Sequence, residues 1–429
     1  MLVATLGMAQ NLSDVTSTGA TNTATIIQTG NNDSDVIQDG ITNAANVTQV
    51  GTNNSDVDQN GTGASGLGGG NTATVDQDGT GNDSDVDQDD DDNTAIVTQL
   101  GTNNDSDVDQ DDSGGGGTGN TATVDQDGIT NISTVSQDDE NSATVNQTGT
   151  NNSDVDQSGT NTADVDQNGF NVSDVDQDGL LNYSKTDQDQ SALIGDANYS
   201  TISQIGDNNN HQTTQDGNRN NSDVQVNGSG NIMNTVYQLG DDNTAEQHQS
   251  GLGAVGNDNN QSTISSIGNS NTALHDQYSA GGSDNNTGSI TQLGNSNTAD
   301  DQQKGDNSFS TTDQFGNSNE AGLLQEGDAN TSTVTQGDAV AGAGFEANSN
   351  WSYVTQNGIS NTSTVTQESD DNDADVTQIG DLNISTVLQR GGTLNDANIM
   401  QTDVTGVGNT SNVTQDGAGN VANVTQVNN

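Results

Sequence analysis

The chain has 429 residues, 26% of them hydrophobic and 2% aromatic, with 62 acidic side chains against 4 basic ones and a net charge of −58. That composition lacks the apolar bulk of ordinary globular domains, and a chain this acidic has neither the basic clusters that grip nucleic-acid phosphates nor any attraction to anionic membranes. There is no cysteine for a disulfide or thiolate site and no proline to interrupt a paired strand.

Residues 1–10, MLVATLGMAQ, are mildly apolar and too short to span a bilayer. They read as an N-terminal arm or as the remnant of a secretory signal. From Asn11 to Gln426 one phrase recurs every ten or eleven residues: Asn-x-(Ser or Ala)-x-Val-x-Gln, usually followed by Gly. There are about thirty-five copies, so the chain is an array of one small unit. Low hydrophobicity with high charge would by itself suggest disorder, but a fixed alternation held over four hundred residues argues for order.

Positions 1, 3, 5 and 7 of the phrase are near-constant and positions 2, 4 and 6 vary. Strand side chains alternate faces with a period of two. Each unit is therefore a seven-residue strand with Asn, a small residue, Val and Gln on one face, followed by a three- or four-residue turn. Ser and Ala alternate at position 3 in the first half: Ser follows Asn11, Asn32 and Asn53, and Ala follows Asn22, Asn43 and Asn71. The true period is two units. This predicts an all-β fold, a two-sheet β-solenoid with one coil per two repeats and roughly 17 coils in a cross-β stack. The inward residues of residues 151–177 illustrate the ladder: Asn151, Val155, Gln157, Asn161, Val165, Gln167, Asn171, Val175 and Gln177. Identical amides on every layer can hydrogen-bond along the stack. The many Asn-x-Ser strings match a glycosylation acceptor, but their Asn side chains are expected to point inward.

The repeats occupy residues 11–429, with insertions between units near 62–70, 111–119, 189–197, 251–259, 279–285 and 338–348, read as loops. In the second half the Ser/Ala alternation runs in the opposite phase. The slip lies near 220–243, where a bulge or half-coil is expected.

Outward positions carry the remaining chemistry. Asp154 and Asp174 hold one slot two units apart, and Asp156 and Asp176 another, giving columns of carboxylates. These four are the candidate metal ligands, although a solvated acidic face binding calcium or other cations without specific sites is the plainer reading. No cofactor is expected. An EF-hand starting at Asp174 is excluded because Lys185 stands where the bidentate Glu is needed. Thr331-Ser332-Thr333-Val334-Thr335 and Thr362-Ser363-Thr364-Val365-Thr366 put threonine rows outward, as ice-binding solenoids do. Trp351 and Tyr353 are outward too, and packing beneath residues 338–348 is favoured over a sugar-binding role. His211, His248 and His275 read as incidental surface residues. No phosphate loop, cysteine nucleophile or serine–histidine–aspartate context is present, so the chain is not expected to be an enzyme.

The string Gln38-Asp39-Gly40-Ile41-Thr42-Asn43-Ala44-Ala45-Asn46-Val47-Thr48-Gln49, with its relatives at Gln28–Gln38 and Gln415–Gln426, resembles the curlin repeat of bacterial curli subunits. The resemblance extends over nearly the whole chain. It implies a secreted β-solenoid that joins end to end with copies of itself into extracellular functional amyloid of a biofilm matrix. It further implies export through an outer-membrane pore and templating by a nucleator subunit. The chain departs from the family in its length, in its aspartate content and in turns without glycine, as at Asp89–Asp92 and Asp138–Glu140. The alternative is a monomeric acidic solenoid serving as a cation-binding, ice-binding or adhesin module.

Overall fold

The structure, a computed structural model, describes residues 10–61, 70–111, 119–190, 197–231, 234–251, 259–279, 285–337 and 347–428. Every regular element among them is a β-strand, and every pairing is parallel. The chain divides into two compact units, Met1–Ala197 and Asn198–Asn429. Each is a β-solenoid of stacked coils, and the two together count about 16 turns, close to the expected roughly 17.

In the first unit each repeat lies on the repeat two positions earlier. Leu12–Ala20 pairs with Asp33–Ile41 so that Val15 meets Val36, and Thr23–Gly30 pairs with the start of Ala44–Asn60 so that Ala24 meets Ala45. Ser-type repeats thus build one sheet and Ala-type repeats the other. The alternation is visible in burial: Asp105–Asp111 reads exposed and buried in strict turn. The core between the sheets is a column of valines with a small residue beside each, from Val36 and Ala45 to Val165 and Val175.

Corners are set by glycine stacked on glycine. Gly79 has a φ of 140°, and a Cβ on it would sit 1.8 Å from the carbonyl oxygen of Gly101 on the next turn. Only a residue without a side chain fits that approach. Turns that lack glycine put aspartate in the left-handed region instead: Asp90, Asp92 and Asp139 have φ of 63°, 61° and 73°. Short polar side chains tolerate this conformation better than most. Where a ten-residue repeat meets an eleven-residue one, the register shifts at the corner, as between Thr160 and Thr162.

Around residues 220–243 the two columns differ. On one of them the offset between stacked residues grows by one, from 22 between Asn209 and Asn231 to 23 between His211 and Asn234, the extra residue that the expected bulge would add. The other column runs without interruption. Tyr199–Ile205, Asn221–Asn227, Thr244–Gly251 and Thr272–Ser279 stack in unbroken register, carrying Ser200, Ser222, Ala245 and Ala273 in one column. The facing column carries His211, Asn234, Ser262, Gly288 and Ser310. On the uninterrupted column serine gives way to alanine by substitution, Ser222 to Ala245, not by a slip of the backbone. The insertions near 62–70, 111–119, 189–197, 251–259, 279–285 and 338–348 lie largely outside the described residues, as does most of the arm 1–10.

Candidate functional site

The repeated amides form two ladders of opposite sense. Each ladder glutamine donates from Nε2 to Oε1 of the glutamine one turn onward: Gln137 to Gln157 at 2.9 Å, Gln157 to Gln177 at 2.7 Å and Gln147 to Gln167 at 3.0 Å. Its second N–H crosses to the facing strand, as from Gln167 to the Asn152 carbonyl at 3.1 Å. Asparagine works the other way. The backbone N–H of Asn151, Asn161 and Asn171 donates to Oδ1 of Asn131, Asn141 and Asn151, one turn earlier. The Nδ2 of Asn161 meanwhile caps the Ser158 carbonyl at 2.8 Å. All nine ladder residues, with Val155, Val165 and Val175 between the amides, are buried.

Serine is different. In the first unit the hydroxyls of Ser34, Ser55, Ser84, Ser106, Ser133, Ser153 and Ser173 are buried and meet no hydrogen-bond partner among the protein atoms. The column tolerates them because they are small. The glutamine ladders break where the second unit exchanges its columns. Val226 occupies one glutamine slot and Ser266 another, and Gln249 Oε1 is left buried and unpartnered.

The outward aspartates stack as expected. Asp154 lies beside Asp174 and Asp156 beside Asp176, and the same slots hold Asp56 and Asp85, then Asp58 and Asp87, further along the sheet. Partial burial, reinforced by neighbouring carboxylates, pushes Asp154, Asp174 and Asp176 up, and carries Asp87 to about 6. Among the described residues no three acidic or histidine side chains converge to hold a metal ion. The four basic residues each pair with a carboxylate: Lys185 with Asp164, Arg219 with Asp242, Lys304 with Glu326 and Arg390 with Asp416. The full threonine rows are two strands deep, bounded by Phe309 and Asp313 on one side and by Ile384 and Leu388 on the other.

One expectation fails on the second unit. His211 and His275 are fully buried, and His248 is partly so, 3.0 Å from Asp276. His211 Nε2 lies 2.9 Å from Thr213, and His275 Nδ1 lies 2.7 Å from the Ser262 hydroxyl. The ring of His275 fills the space opposite Gly288, where a Cβ would clash at 1.8 Å. On the next strand Asp301 is buried and accepts from Thr312 at 2.8 Å. Burial drives His211 to about 3 and His275 to about 4, and raises Asp301 to about 8, so all three are neutral near pH 7. The signal was in the alternation: His211 stands at position 3, and His275 and Asp301 at position 5, both inward. Trp351 and Tyr353 are 36% and 39% exposed, and the segment expected to cover them, residues 338–348, lies largely outside the described residues.

The outermost described strands are half-finished coils. Val15 on Leu12–Ala20 is 46% exposed, while its stacked partner Val36 is fully buried. Val421–Asn428 likewise leaves its inward residues only partly covered. Here the ladders end. Among the described residues Gln28 donates to Gln49 but accepts from no other glutamine, and Gln426 accepts from Gln401 and donates only to the Thr410 carbonyl.

A family model for the curlin associated repeat matches residues 91–128, 305–337 and 370–402. The chain carries curlin associated repeats. The matched stretches lie in both units. The curlin repeat and the β-solenoid together fit a curli-type structural subunit. No curated protein matches the chain.

Proposed function

We propose that the chain is a secreted, self-assembling subunit of an extracellular curli-type fibre, joined end to end with copies of itself. The observation that carries this reading is the match between its outermost strands. The last two repeats run Ser-type then Ala-type, with Ser411 followed by Ala422, and the first two run Ser13 then Ala24. A second copy placed after Asn428 continues the alternation. Its first strand comes to lie on Thr410–Asp416 and its second on Val421–Asn428. Gln426 Nε2 then faces Gln28 Oε1 of that copy, and the Oδ1 atoms of Asn409 and Asn420 face the backbone N–H groups of its Asn11 and Asn22. Donor meets acceptor in both ladders in this head-to-tail sense. Unpaired strand edges are templates for such addition.

By this reading the partner is the chain itself. A nucleator subunit and an export pore are proposed from the family, and cations act as diffuse counter-ions to the acidic face. The test is thioflavin fluorescence with electron microscopy of the purified chain across a salt series. Unbranched fibres, growing faster as salt screens the charge, support the proposal. A chain that stays monomeric at every salt level supports the solitary acidic module instead.

A further inference from the structure

One face of the second unit carries a feature that neither ladder nor core accounts for. Trp351 and Tyr353 project outward from Trp351–Asn357 with ring centroids 6.2 Å apart and planes inclined by only 16°. The two rings are nearly parallel and stack on one another. Tyr353 is held in place by a missing side chain: a Cβ on Gly322, its partner on the adjacent strand, would lie 2.6 Å from the ring. Two exposed aromatics on so polar a chain are conspicuous, because every other outward residue on their strand is polar.

Carboxylates bracket the rings on both sides. Glu320 lies beside Trp351 on one neighbouring strand, and Asp373 and Asp375 lie beside Trp351 and Tyr353 on the other. Lys304, the nearest lysine along the solenoid, is taken up by Glu326. Burial pushes Asp373 and Asp375 up, at Asp373 with neighbouring carboxylates added, so the site gains from a cation brought close.

We propose that Trp351 and Tyr353, with Glu320, Asp373 and Asp375, form a binding platform for an amino-sugar polymer. The apolar face of a pyranose ring packs on an exposed aromatic face. Ammonium groups on the sugar engage both the carboxylates and the aromatic quadrupole. An anionic polysaccharide is repelled by the surrounding charge. The platform lies on the flank of the solenoid and is independent of its ends.

The test uses the soluble full-length chain and chitosan hexamer as the probe. Trp351 is the single tryptophan, so its fluorescence reports the site alone. The hexamer is expected to shift that emission saturably, and added salt to weaken binding. Trp351→Thr and Tyr353→Thr restore the threonines found at the same slots of Thr362–Gln367 and should fold. Calorimetry with these variants is expected to show at least a tenfold loss of affinity, and Asp373→Asn with Asp375→Asn a smaller one. Fully acetylated hexamer binding as tightly as chitosan would overturn the amine requirement. Polylysine binding as tightly would reduce the site to diffuse charge, and unchanged affinity in both threonine variants would remove the platform.

Discussion

At the level of the single residue, the ladder glutamines and the column serines are both buried polar groups, yet they stand oppositely. Gln126 donates to Gln147 at 2.9 Å and accepts from Gln99 at 2.9 Å. Gln126→Leu removes both and leaves a donor on Gln99 and an acceptor on Gln147 buried. Each orphan costs about 1–3 kcal/mol, so urea unfolding should show a loss of roughly 2–4 kcal/mol. Ser153 has a buried hydroxyl with no partner. Ser153→Ala, which copies the facing column, should be neutral or stabilising by about 1 kcal/mol. Equal losses from the two substitutions would mean that the amides are not laddered. Val226→Gln reconnects a broken ladder and gives Gln249 Oε1 a donor. It should raise the stability of the second unit by about 1 kcal/mol, read from the urea midpoint of Trp351 emission. Most of this was legible in the sequence, because inward and outward follow from position in the phrase. The same rule placed His211, His275 and Asp301 inward. Only their residue types, which usually belong to surfaces, argued otherwise.

At the level of strands and sheets, charge is unevenly spread. The serine-type sheet of the first unit carries the aspartate columns, while its partner carries more threonine, as at Thr74, Thr123 and Thr144. Stacked carboxylates about 4.8 Å apart repel by roughly 0.9 kcal/mol per pair even in water's dielectric. The folded state therefore binds protons more readily than the unfolded chain. Asp87, raised from its ordinary value to about 6, sets the window. Its column costs stability above pH 6, and the cost is relieved as pH falls from about 6 towards 4. His211 and His275 act in reverse. Their folded values are depressed to about 3 and about 4, so their contribution is whole above pH 6.5 and is lost as pH falls through that range. Asp301, raised to about 8, again favours acid. Acidification from pH 7 to 4.5 should thus stabilise the first unit clearly and the second less. Asp87→Asn should add roughly 0.5 kcal/mol at pH 7, discounted for its exposure, and flatten the first unit's response. Identical pH profiles for wild type and variant, followed by circular dichroism in urea, would contradict the electrostatic account. Register at this scale was legible from the ten-residue period. The extra residue between Asn231 and Asn234 was legible from the broken phrase there, but the exchange of serine for alanine, Ser222 to Ala245, happens on the other column in unbroken register. Identity alone cannot tell substitution from displacement.

At the level of the whole molecule, the proposed assembly is an extension of folding. The bonds that hold Gln401 to Gln426 within the chain are the bonds proposed between Gln426 and the next copy's Gln28. A coil added within one chain and a coil added from another bury the same valines and close the same ladders, so growth needs no surface beyond the repeat itself. Fibres should have one polarity, since only a head-to-tail copy continues the parallel pairing and keeps glutamine on glutamine and asparagine on asparagine. Electron cryo-microscopy of fibres grown from the full chain tests this most directly. Parallel strands at about 4.8 Å along the axis, with coils continuing through each junction between copies and all copies pointing one way, are the expected result. Antiparallel copies, or strands lying along the axis, would contradict it.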